Sequence, residues 1–282
     1  MERLSRLTAI AIIAFCLGAG CLCLPENTIH PLLALEESLV FWPLPYPRGD
    51  WSKPVGVEDA WFQSVDGAEL HGWYAAAPQA RAMVLYAHGN AGNITQLRPY
   101  LELFRDRLHV SILVFDYRGY GRSRGHPSEA GVLEDARAAR AWLASRAGVP
   151  EADIVLVGHS LGGGVVVDLA AGDGARGLVL ESTFTSLPDA AQSHVPVRRL
   201  MHMHFDSLAK IGRYHGPLLQ THGEADRVIP FTQGCRLFAA ANEPKEFVAV
   251  PGGGHNDPPA AVYVQALDRF FSTLSVPATA HP

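Results

Sequence analysis

From Val55 onward, polar and apolar positions follow two rhythms in turn. "EDAWFQSVDGAELHGWYAA" alternates with a period of two on both sides of Asp66-Gly67, a dipeptide that favours a tight hairpin turn, and predicts two antiparallel strands. Six short, β-branched apolar runs follow: "RAMVLYAHG", "VSILVFDYRG", "DIVLVG", "GLVLES", "GPLLQTHG" and "KEFVAVPG". Such runs have no polar face and read as strands buried on both sides. Helical periodicity fills most of the gaps: from about Gln96 to Leu108, in "SEAGVLEDARAARAWLASR", in "LGGGVVVDLAA", in "FTQGCRLFAAAN" and in the closing "AAVYVQALDRFFSTL". Ser128 is placed to cap the second of these helices, with Glu129 in its first turn. The alternation predicts one α/β domain over residues 55–275, with a mostly parallel eight-stranded sheet covered by helices on both faces. Ligands of such sheets bind beyond the carboxyl ends of the strands, so chemistry is expected in the post-strand loops.

Two stretches depart from this rhythm. Arg3 and Arg6 precede a run from Leu7 to Leu24 that is apolar and uncharged. A positive start followed by such a run reads as a signal peptide, a membrane anchor or a lipoprotein signal over residues 1–24, with the body exported. "LGAGC" resembles a lipidation motif ending at Cys21, with Gly18 where leucine is usual. Residues 25–54, which include "FWPLPYPRGDW", read as an irregular proline-rich tether or wrapping arm, and residues 276–282 as a flexible tail.

Composition narrows the function classes. The chain has 282 residues and a formal net charge of -5, so it lacks the basic footprint of a nucleic-acid binder. Of the four cysteines, Cys16, Cys21 and Cys23 lie in the N-terminal segment, which leaves no intradomain disulfide framework. Cys235 is expected to be a small buried residue on a helix.

The candidate chemistry lies at the strand ends. Gly158-His159-Ser160-Leu161-Gly162 fits G-x-S-x-G between a β-branched strand and a helix. A serine there sits on a forced turn that exposes its hydroxyl, with glycines where side chains would collide with backbone. A serine hydroxyl needs a base, and "VPGGGHNDPP" places His255 in a glycine loop after the last strand. The base needs an acid to orient it; "HGEADRVIP" offers Asp226, with Glu224 nearby and Glu181, which ends "GLVLES", as the alternative. Asp257 precedes Pro258 and reads instead as a helix N-cap. "YAHGNAGN" provides an oxyanion loop, its donor the backbone N–H of Asn90, partnered by that of Leu161. His194, His202 and His204 lack a carboxylate or cysteine at ligand spacing, so they read as a polar lid face; no metal or cofactor is called for.

In the order "HGNAGN", "FDYRGYGRS", "GHSLGG" and "HGEADRVIP", the chain resembles the α/β-hydrolase superfamily of serine hydrolases from about Trp42 to Leu274. It is similar to the branch that includes single-anchor membrane hydrolases and acyl-protein thioesterases. The resemblance implies an α/β-hydrolase fold with Ser160, Asp226 and His255 as the triad and Asn90 and Leu161 as oxyanion donors. It also implies that Asp116 and Arg118 hold the oxyanion loop, and that residues about 183–213 form a small lid. The expected function is cleavage of small-molecule or acyl-protein esters or thioesters through an acyl-enzyme. A peptidase of the same fold and a non-catalytic binding module are the alternatives, and the oligomeric state stays open.

Overall fold

The computed structural model describes residues 26–192 and 201–274. The signal, anchor and Cys21 readings for residues 1–24, the tail at 276–282 and His194 therefore lie outside the described residues. In chain order the elements are α1 (Glu26–Val40), β1 (Trp42–Pro43), β2 (Val57–Gln63), β3 (Glu69–Ala75), β4 (Met83–Ala87) and β5 (Ala91–Gly92). Then come α2 (Arg98–Glu102), β6 (Ser111–Asp116), α3 (Glu129–Ala147), β7 (Ile154–His159), α4 (Leu161–Asp173), β8 (Gly177–Glu181) and α5 (Leu187–Gln192). The chain closes with α6 (Ser207–Lys210), β9 (Leu218–Gly223), α7 (Phe231–Ala240), β10 (Lys245–Val250) and α8 (Ala261–Thr273).

The main sheet has eight strands in the order β10-β9-β8-β7-β4-β6-β3-β2. Strands β10 through β6 are parallel; β3 runs antiparallel to β6 and to β2. The buried runs explain this arrangement, because successive side chains on a strand point to opposite faces and both faces must be covered. Leu85, Leu113, Leu156 and Leu180 pack on one face beneath Ala136 and Leu143 of α3 and Val165 and Leu169 of α4. Val84, Val114, Val157 and Val179 pack on the other, against Leu101, Phe104 and, from α8, Leu267 and Phe271. The Ser128 hydroxyl accepts the Gly131 N–H and caps α3, as its position implies.

Four expectations need correction. Residues 26–40 are not an irregular tether: they form α1, with Leu33 and Val40 packed on the core and Phe41 buried behind them. The following residues do wrap the domain, through a small parallel pair, Trp42 against Ala91 and Pro43 against Gly92. The helix expected from Gln96 to Leu108 is broken: a 3₁₀ turn at Ile94–Leu97 leads into α2, which has a proline at its start, and a π turn closes it at Leu103–Arg107. Cys235 is exposed, because α7 seats Gly234 and Leu237 on the sheet and turns Cys235 away from it. Asp257 caps no helix; α8 begins at Ala261, and the Asp257 carboxylate accepts the Gly254 N–H at 2.7 Å, bracing the loop that carries His255.

Candidate active site

Strand β7 delivers Ser160 to the turn into α4 at φ 53°, a left-handed conformation that strains a non-glycine residue. Close backbone contact is what demands the flanking glycines. A Cβ on Gly158 would stand 2.3 Å from the Gly162 carbonyl oxygen, and one on Gly162 only 2.0 Å from that of Ala87. Two bonds hold the turn from β8: Ser160 N–H donates to Glu181 O at 2.9 Å, and the Thr183 hydroxyl donates to Ser160 O at 2.8 Å.

Three loops converge on this serine. Ser160 Oγ lies 3.0 Å from His255 Nε2, and His255 Nδ1 lies 2.7 Å from Asp226 Oδ2. An ionised carboxylate can only accept, so the proton sits on Nδ1 and Nε2 is free to take the serine proton. Burial opposes ionisation of Asp226. Hydrogen bonds from His222 and His255, with the Ile229 N–H on the other oxygen, outweigh it and hold the carboxyl well below the usual range. The Val228 N–H, at 2.8 Å from Oδ1, fixes the rotamer.

Neither alternative acid takes this place. Glu224 points to solvent. Glu181 is buried, receiving hydrogen bonds from the Tyr86 and Tyr263 hydroxyls, and burial pushes its carboxyl up. It joins β4, β8 and α8 behind the site, while Asp226 occupies the imidazole.

The candidate oxyanion loop follows β4. Asn90 and Leu161 both lie at this strand-end rim, and Asn90 faces the cavity above Ser160. The Asn90 carbonyl accepts the Trp42 N–H at 2.9 Å and the Tyr120 hydroxyl at 2.8 Å, and its side-chain amide donates to Val40 O at 2.9 Å. The Tyr117 hydroxyl donates to His88 O at 2.9 Å, and Asp116 accepts the Ile94 N–H, also at 2.9 Å. The "FDYRGY" stretch thus braces the loop through Asp116, Tyr117 and Tyr120, not through Arg118. Arg118 instead pairs with buried Asp135 at 2.8 Å and with Asp66 of the hairpin turn at 2.6 Å.

Three contributors escaped the sequence reading. His159, the variable residue of the pentapeptide, lies with Nε2 3.1 Å from the backbone oxygen of His255; burial pulls its imidazole down to about 4, so it is neutral at pH 7 and donates there. Neutral His88, pulled down to about 4 by burial, packs beneath the oxyanion loop against Tyr117. His222 stands 3.4 Å from Asp226. The only signal for any of these was position at a strand end, which many inert residues share.

A cavity of about 1080 Å³ opens over Ser160 and His255, with Leu39, Leu187 and Met201 among its apolar walls. His202 and His204 lie on the lid, and among the described residues no three His, Cys, Asp or Glu side chains cluster as a metal site would require. Among the described residues, no helix is long and apolar enough to cross a membrane.

A doubly covered parallel sheet with a serine on a strained strand-to-helix turn defines the α/β-hydrolase class of proteins. The chain belongs to the alpha/beta hydrolase fold family, whose pattern it matches over residues 82–199. It is 37% identical to an uncharacterized protein of Mycobacterium tuberculosis over 98% of both chains. It is also 33% identical to human alpha/beta hydrolase domain-containing protein 17B, over 89% of this chain and 88% of that one. Among solved structures, a Pyrococcus furiosus esterase superposes with a TM-score of 0.68 at 19% identity, covering 83% of this chain and 96% of the esterase.

Proposed function

We propose that the protein is a serine hydrolase that cleaves carboxylic esters or thioesters through an acyl-enzyme. The observation that carries this reading is the unbroken line of contacts from Ser160 through His255 to Asp226. As the Ser160 oxygen attacks the acyl carbonyl, its proton passes to His255 Nε2. The carbonyl oxygen takes up the negative charge against the N–H groups of Asn90 and Leu161. Collapse expels the alcohol or thiol, which leaves with the proton from His255. Water then repeats the sequence on the acyl-serine and releases the acid. Asp226 stays ionised throughout and offsets the imidazolium charge. The apolar cavity suits an acyl chain, and the likeness to an esterase favours esters over amides.

We also place the mature protein at a membrane or outside the cytoplasm, on the strength of the apolar run from Leu7 to Leu24 behind Arg3 and Arg6. Mass spectrometry of the mature N-terminus distinguishes an intact anchor, a cleaved signal and a lipidated Cys21.

The decisive test of the chemistry is labelling by a fluorophosphonate probe. Wild type is expected to label and Ser160→Ala to stay dark while keeping its circular dichroism spectrum. Labelling that persists in the variant removes Ser160 from the reaction. Folded wild type that never labels favours a binding module.

A further inference from the structure

Part of the cavity lining does not come from the sheet or the helices that cover it. Leu35, Leu39 and Val40 of α1 supply it, so the segment just after the apolar N-terminal run encloses the site. Leu35 and Leu39 stand one helical turn apart, and both are only half-buried, as expected of side chains that border a cavity and not a packed core. The end of α1 is bonded into the oxyanion loop: the Asn90 amide caps Val40 O, and Trp42 N–H returns a bond to Asn90 O. On the preceding turn, the Glu36 carboxylate accepts the backbone N–H groups of His202 at 2.9 Å and Met203 at 2.9 Å, and also meets His202 Nδ1 at 3.2 Å. Helix α1 therefore touches both the lid and the candidate oxyanion loop.

We propose that α1 is the specificity element of this site. Its Leu35–Leu39 edge forms the wall along which an acyl chain lies, and Glu36 is a positioning residue that holds lid residues 201–203 against that wall. The proposal rests on the hydrolase reading above for its substrate, an acyl ester or thioester. Selection between acyl lengths then depends on α1, because the chemistry at Ser160 is common to all of them. Each methylene shielded from water by the wall favours binding by about fourfold, so two or three of them separate long from short chains by tenfold or more.

The experiment compares kcat and KM for p-nitrophenyl esters from two to sixteen carbons in the full chain. Leu39→Trp, which fills the space along the wall, is expected to lower kcat/KM tenfold or more for the longest esters, mainly through KM, and by progressively less as the acyl chain shortens. Glu36→Ala is expected to act in the same direction, with Glu36→Gln, which keeps one acceptor oxygen, in between. A uniform change across chain lengths, or none, overturns the proposal. A second readout needs no turnover: binding of dansyl-undecanoic acid to the Ser160→Ala protein, weakened tenfold by Leu39→Trp if the wall is real and unchanged if it is not. If wild type neither labels nor hydrolyses any ester, the hydrolase reading fails and this binding measurement still decides the wall.

Discussion

Replacing Gly162 with alanine tests the geometry of the site at its tightest point. The added Cβ would lie 2.0 Å from the Ala87 carbonyl oxygen, 2.5 Å from its carbonyl carbon and 2.7 Å from the His88 carbonyl oxygen. All three are backbone atoms, so no side-chain rotation relieves the clash. The end of β4 and the start of α4 must part by about 1 Å, at a strain of about 1–3 kcal/mol. Alanine is the better helix former by up to about 1 kcal/mol, which offsets part of that strain. Activity has no such compensation. The parting moves the loop of Asn90 away from Leu161, and a displacement of about 1 Å lowers rates about a hundredfold. Complete loss of one oxyanion donor lowers them by about a hundred- to a thousandfold. The assay pairs thermal melting with p-nitrophenyl ester kinetics, and Gly172→Ala is the control. Gly172 lies in the same helix with open space where a Cβ would go, so it is expected to gain stability and keep its rate. A Gly162→Ala enzyme that matches wild type in kcat/KM would refute the steric account of the turn.

Three further predictions concern the buried ionisable groups. Asp226→Asn is expected to reduce kcat by about 10⁴, through loss of the tautomer that leaves Nε2 free, whereas Glu181→Gln keeps a near wild-type rate; the reverse ranking in ester kinetics makes Glu181 the acid. His88 and His159 are held neutral down to about pH 4, while in the unfolded chain they take up protons near pH 6.5. The unfolded state then binds the extra protons, so stability is full above pH 6.5 and falls as pH drops toward 4, by about 3 kcal/mol for each imidazole at the acid end. Urea midpoints measured at pH 7.5 and 4.5 check this, and a midpoint independent of pH contradicts it. Arg118→Ala leaves the Asp135 carboxylate buried without its partner and is expected to destabilise the fold by about 3–5 kcal/mol in urea unfolding, with kcat little changed in whatever remains folded.

Much of the site was legible because its parts follow strands that announce themselves locally. An apolar run of five or six residues ending in glycine marks a strand end, and Ser160, Asp226 and His255 each fall there. The strained turn could be read as well, since Gly158 and Gly162 sit at the two positions where backbone crowding excludes a Cβ. The position of Arg118 was not legible because β6 ends at Asp116, beyond which strand alternation no longer fixes where a side chain points, and its ionic partner Asp135 lies in a helix that follows. Cys235 was misjudged for a related reason: hydrophobicity alone does not say which face of α7 meets the sheet, and the small Gly234 does.

Taken alone, the chain's periodicity determined the kind of sheet and the strand-end loops in which Ser160, Asp226 and His255 fall, because burial phase and backbone crowding are local properties. Only the tertiary structure decided which carboxylate faces His255, which residues brace the oxyanion loop, and that α1 encloses the cavity. Those outcomes depend on which distant segments meet, and a carboxylate's role is set by the hydrogen-bond donors around it rather than by its neighbours in sequence.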